Sequence, residues 1–136
     1  MLMNSNEYIE IIETIKGEIR GAQYKAALSV NRELIMLYYH IGMVINEHKT
    51  WGSKFIENLA ADIRISFPNV KGYSVRNLKY MAKFAETYPD ESFVQQAVAQ
   101  IPWGHTTVLL DKFSDDTVRN WYLNKTIENG WSRNVL

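Results

Sequence analysis

The sequence predicts an all-α fold, a compact multi-helix domain with a helix-turn-helix-like core. Three observations predict it. Apolar residues recur at spacings of three and four along most of the chain, the three prolines fall between those stretches, and no sustained alternation of apolar and polar residues marks a strand. The 136 residues suit one domain with room for a core, and 46% apolar against 22% charged residues is the balance of a globular chain.

The elements follow in order. Residues 6–25 carry Ile9, Ile12, Ile15 and Ile19 on one side, with Glu10, Glu13, Lys16 and Arg20 on the other. Ser5 or Asn6 suits the N-cap, Glu7 and Glu10 sit where the helix dipole favours acids, and Gly17 and Gly21 weaken the helix enough to allow a kink. A second helix over residues 29–48 is predicted from Leu34, Leu37, Tyr38, Ile41 and Ile45, with Gly42 permitting close helix packing. Residues 50–53 end it, Ser53 suits the cap of a third helix, and Phe55, Ile56, Leu59, Ala60, Ile63 and Phe67 form that helix's stripe.

The segment from Phe67-Pro68 to Gly72-Tyr73-Ser74 is a break, because proline cannot continue a helix and glycine permits a positive φ. Ser74 is placed to cap a fourth helix over residues 75–87. Beyond the Tyr88-Pro89-Asp90 break come predicted helices over residues 91–100, 106–113 and 117–129, separated by Pro102-Trp103-Gly104 and Ser114-Asp115-Asp116. Asn129-Gly130 ends the last of them, and Ser132 is an N-cap candidate for a further helix, so the 136 residues are expected to form one domain of a longer protein.

Several function classes are excluded or disfavoured. Cysteine is absent, which removes disulfides and thiolate chemistry. No apolar run approaches the roughly 18 residues of a membrane span, and the first ten residues lack the basic and apolar regions of a secretory signal. A cytoplasmic protein without a membrane partner is expected. His40, His48 and His105 do not stand at metal-ligand spacing, so no metal and no cofactor is expected. There is no phosphate-binding Gly-rich loop and no Ser/His/Asp set; Pro89-Asp90 is followed by no Glu-x-Lys, the single such triplet being Glu47-His48-Lys49 upstream. No catalytic residue is assigned.

Charge carries the functional expectation. The chain is neutral, with 15 basic and 15 acidic residues, but residues 49–85 hold seven cations (Lys49, Lys54, Arg64, Lys71, Arg76, Lys79, Lys83) against Glu57 and Asp62. Acids concentrate near the N-terminus and again from Glu86 to Asp116. Such polarisation points to a charged partner. On a helical wheel of residues 75–86, Leu78, Met81, Ala82 and Ala85 gather on one side, and Arg76, Lys79, Tyr80 and Lys83 on the other.

Arginine binds a phosphate or a guanine edge bidentately, lysine supplies point charges, and tyrosine bonds phosphate or stacks on a base. Asn77 suits an adenine edge, and the backbone N–H groups after Ser74 suit a phosphate. The candidate DNA contacts are therefore Lys71, Ser74, Arg76, Asn77, Lys79, Tyr80 and Lys83, with duplex DNA the expected partner. The same pattern also fits an ordinary solvated helix face, with Tyr80 packed under a neighbouring segment. Trp51, Trp103, Trp121 and Trp131 are expected in packing, with Trp103 and Trp131 alternatively an exposed platform. His105 is expected to start a helix and bond backbone, and Arg133 to form a salt bridge or extend a phosphate surface. A protein-interaction or dimerisation module anchored on Trp103, Trp121 and Trp131 is the competing expectation.

Several blocks resemble the N-terminal domain of the YhcG family: Leu37-Tyr38-Tyr39-His40-Ile41-Gly42, Trp51-Gly52 with Ile56-Glu57 and Leu59, and Phe67-Pro68 leading to Gly72-Tyr73-Ser74-Val75-Arg76-Asn77-Leu78 and Met81. Pro102-Trp103-Gly104-His105 and Glu128-Asn129-Gly130-Trp131-Ser132-Arg133 complete the likeness, which covers the chain from about residue 30; Tyr39 departs from it, standing where many relatives have tryptophan. The resemblance implies a helical, DNA-binding N-terminal domain that precedes a PD-(D/E)xK nuclease-like domain. The nuclease residues have no counterpart in these 136 residues, so the resemblance implies duplex DNA and a C-terminal nuclease domain as partners; a homo-oligomeric copy is the partner expected under the competing dimerisation reading.

Overall fold

A computed structural model describes residues 5–136, with the side chain of Ser53 outside the described set. Six α-helices and two short 3-10 turns make up the regular structure of the described residues: α1 Ser5–Glu47, α2 Gly52–Ser66, α3 Val75–Thr87, α4 Glu91–Gln96, α5 Trp103–Lys112 and α6 Asp116–Asn129, with 3-10 turns at Lys49–Trp51 and Val98–Gln100. No strand occurs among the described residues.

The largest departure from the sequence expectation is α1. It is one helix of 43 residues, where two helices separated near residues 25–29 were expected. Nothing in that stretch stops a helix: Ala26, Ala27 and Leu28 are strong helix formers, and Gly17 and Gly21 each cost about 1 kcal/mol without breaking it. Ser5 and Asn6 both lie inside the helix, so neither is the N-cap expected of it.

The C-terminal half of α1 forms the spine of the domain. Ile35, Tyr38, Tyr39, Gly42 and Ile45 are its buried positions, and α3 is its main packing partner. The closest approach is at Gly42, where a Cβ atom would stand 2.0 Å from the Met81 carbonyl oxygen; only glycine lets the two backbones meet there. Two asparagines fasten the spine. Asn31 Nδ2 donates to the carbonyls of Ala99 and Ile101 at 2.9 Å, and Asn46 Nδ2 donates to the Ala82 carbonyl at 2.9 Å.

α3 sits between two apolar clusters. Leu78 and Met81 pack with Tyr38, Ile45 and the α2 residues Phe55, Ile56, Leu59 and Ile63. Phe84 and Ala85 pack with Ile35, Tyr39, Tyr88, Val94, Val98, Leu109 and Leu123. Ser74 caps α3 as expected, its Oγ accepting from the Asn77 N–H at 3.1 Å. Asp90 and Asp115 cap α4 and α6 in the same manner.

Smaller differences appear elsewhere. Residues 91–100 are split into α4 and a 3-10 turn, and α5 begins at Trp103, earlier than its expected start at Thr106. α2 starts at Gly52, ahead of Ser53. Residues 133–135 form a turn closed by the Ser132 carbonyl rather than a helix. Arg119 is 3% exposed; it donates to the Phe113 carbonyl, pairs with Asp116 and lies 5.3 Å from the Tyr88 ring centroid, which explains how the core accepts a guanidinium.

Candidate nucleic-acid interface

α2 and α3 pack on each other and are joined by the eight residues between Ser66 and Val75, a longer link than the three or four residues of a common helix-turn-helix. Gly72, within that link, has φ +106° and lies against the Tyr38 hydroxyl, which a Cβ atom would approach to 2.7 Å. A residue with a side chain would be strained and crowded there. The link therefore docks on α1 and holds the start of α3 at a fixed angle.

With Leu78, Met81, Phe84 and Ala85 turned into the core, Arg76, Lys79 and Lys83 stand exposed in a row along the opposite side of α3. None of the three forms an ion pair with any described residue. Like charges three and four residues apart repel by a few tenths of a kcal/mol per pair, and the one acid of α3, Glu86, pairs with Lys49 instead, at 3.3 Å. Glu91, at the start of α4, meets His40.

Tyr80 takes the packed alternative, and Asn77 has a role its wheel position did not give. Tyr80 is half-buried and its hydroxyl donates to Asp111 Oδ2 of α5 at 2.6 Å, while the Arg76 guanidinium lies 5.5 Å from its ring centroid. It ties α3 to α5 and supports Arg76 through a cation–π contact. Asn77 points inward. Its Nδ2 donates to the Gly72 carbonyl at 2.6 Å and its Oδ1 accepts from Trp103 Nε1 at 2.7 Å, so the amide intended for an adenine edge is engaged within the fold. Lys71 is exposed on the link and Ser74 is engaged in capping.

Arg133 joins the face from the far end of the sequence. It shares a groove with Ser74, Arg76, Tyr80 and Thr107, and its Cδ and Nη1 lie over Gly104, each 3.4 Å from where a Cβ atom would be. No described carboxylate pairs with it, so the salt bridge expected for it does not form. Arg64 of α2 and Lys71 line an adjoining groove beside the start of α3, which Glu57 also borders. Nothing in the local sequence marks Arg133 as a neighbour of Arg76; the folded chain brings the two to one groove.

The tryptophans divide. Trp103 is half-buried between the two clusters, 5.0 Å from the Tyr38 ring and 5.4 Å from Phe84. Trp131 is half-buried as well. Trp51 and Trp121 are 60% and 52% exposed, against the packing expected of them; Trp51 stacks on His48, and Lys125 lies over Trp121. His105 behaves as expected, in the first turn of α5 with Nε2 2.8 Å from the Trp131 carbonyl oxygen. Among the described residues, no three His, Asp or Glu side chains cluster as metal ligands, and no helix is long and apolar enough to cross a membrane.

Fold and face together define an all-α domain with a cationic row on its central short helix. The family model of the DUF1016 N-terminal domain matches residues 14–136, and the chain belongs to that family, the YhcG-type N-terminal domain. No curated protein and no solved structure matches the chain significantly.

Proposed function

We propose that this domain is a non-catalytic module that docks on nucleic acid, duplex DNA in particular, as the front part of a cytoplasmic nuclease-type protein. The observation that carries the reading is the row Arg76, Lys79 and Lys83: exposed, without ion pairs among the described residues, and held rigidly by the burial of the opposite side of α3. Uncompensated cations on a rigid helix destabilise the free domain slightly and are neutralised by a polyanion. Arg133, Arg64 and Lys71 widen the face around the start of α3, where the first-turn N–H groups add a further preference for phosphate.

Most of these groups address phosphates rather than bases. With the Asn77 amide engaged inside and Tyr80 bonded to Asp111, Arg76 is the side chain best suited to a base edge. The domain is therefore a positioning element whose affinity is electrostatic and whose sequence preference is weak. The test is fluorescence anisotropy with labelled duplex and single-stranded probes of equal length. Tighter binding to the duplex, weakened when Arg76, Lys79 and Lys83 are all changed to Ala, supports the reading. Binding that is absent, or indifferent to the triple change, removes it.

A further inference from the structure

The N-terminal part of α1 forms an arm whose apolar side is largely uncovered by the described chain: Tyr8, Ile15 and Ile19 are 51%, 46% and 52% exposed, and Ile12 is half-buried. Tyr8, Ile12, Ile15, Ile19, Ala22 and Ala26 follow one another at steps of four, three, four, three and four, the spacing of a coiled-coil seam. We infer that this arm pairs with the arm of a second copy of the chain, antiparallel, to make a two-fold dimer.

Three features favour a second copy in that orientation. The seam is symmetric about Gly17: antiparallel pairing sets Tyr8 against Ala26, Ile12 against Ala22 and Ile15 against Ile19. Large residues of one arm thus meet small ones of the other at the ends, where a parallel pair would place alanine on alanine and tyrosine on tyrosine. Charge runs the same way. Glu7, Glu10 and Glu13 occupy the outer end of the arm, and Lys16, Arg20 and Lys25 outnumber Glu18 toward the body, so antiparallel arms bring an acidic end to a basic one. Lys16 and Glu18 each approach their own copies near the two-fold; Glu13, 3.7 Å from Lys16 Nζ, offsets the first of these.

The third feature is steric. At about 100° per residue the seam lies on roughly the opposite side of α1 from Ile35, Tyr38, Gly42 and Ile45, which face the body. Two bodies therefore sit on outer sides and at opposite ends of the paired arms, without collision. Their α3 helices, each packed at Gly42, would stand roughly 75 Å apart along the arms, from a rise of about 1.5 Å per residue. The inference does not depend on what α3 binds.

The test is the mass of the 136-residue chain by light scattering across a concentration series. Twice the 15.8 kDa chain mass is expected, falling to one chain in Ile15→Asp/Ile19→Asp with helicity and body stability retained. A wild-type monomer throughout, or a dimer that survives those changes, overturns the inference. Orientation is tested with single cysteines, since the chain has none. Mixed Tyr8→Cys and Ala26→Cys chains should cross-link to each other on oxidation. Tyr8→Cys linking to itself instead would overturn the antiparallel arrangement.

Discussion

Gly42 of α1 and Met81 of α3 meet backbone to backbone: a Cβ atom at position 42 would lie 2.0 Å from the Met81 carbonyl oxygen and 2.6 Å from its carbonyl carbon. This contact sets how deeply α3 sits against the spine, and through it the position of the cationic row. Gly42→Ala should force the helices apart and destabilise the domain by about 1–3 kcal/mol, the usual range for overpacking. Gly17→Ala, with nothing within 4 Å of its Cβ position, should instead stabilise by about 0.5–1 kcal/mol, the gain from removing a mid-helix glycine. Urea denaturation of the two variants should therefore shift in opposite directions.

Asn77 separates a positioning role from a reading role. Asn77→Ala leaves the Trp103 indole N–H and the Gly72 carbonyl without their partner and should lower stability by about 1–3 kcal/mol. Its folded protein should keep wild-type affinity for duplex DNA. A large loss of affinity at unchanged stability would place the amide on the nucleic acid after all.

Arg133 and Lys49 form a matched pair of tests. Arg133 lies beside Arg76 with no described carboxylate on it, whereas Lys49 is 3.3 Å from Glu86. Arg133→Ala should weaken duplex binding and reduce the log–log salt slope by about one unit, one phosphate contact's share. Lys49→Ala should leave the slope unchanged. Equal effects from both would mean that binding follows general charge rather than this face.

Three buried tyrosines predict how the fold fails in alkali. Burial raises the pKa of Tyr38, Tyr39 and Tyr88, helped by Tyr73 at Tyr38 and by Glu91 and Asp90 at Tyr39, and opposed at Tyr88 by Arg119. Unfolding lets each ionise near its ordinary value of about 10. Below that pH both states hold the proton and these groups make stability flat. Above it the unfolded chain loses the proton first, so stability falls as pH rises from about 10 toward the folded-state values. Urea midpoints measured from pH 8 to 11 should show that break, and Tyr39→Phe should soften it. A decline complete before pH 9 would assign it to other groups.

Much of this architecture was legible along the chain, where the information is local. The stripe Leu78, Met81 and Ala85, the Ser74 cap and the Phe67-Pro68 break place α3 from spacing and stereochemistry alone. The continuity of α1 was not legible because its apolar side changes partway: the seam through Ile15 and Ile19 and the core side through Tyr38 and Gly42 lie on roughly opposite faces, which reads as two helices. The cationic row was legible from one helical turn to the next. The inward role of Asn77 was not, since it depends on Trp103, and Arg133 was placed beside Arg76 by folding that no local pattern encodes.

The central claim is that Arg76, Lys79 and Lys83 stand ready to neutralise phosphates, and the salt dependence of duplex binding tests it most directly. The wild-type log–log slope should exceed that of Arg76→Ala/Lys79→Ala/Lys83→Ala by about three units, near one per lost contact, with both proteins equally stable in urea. Parallel lines for the two proteins would contradict the account.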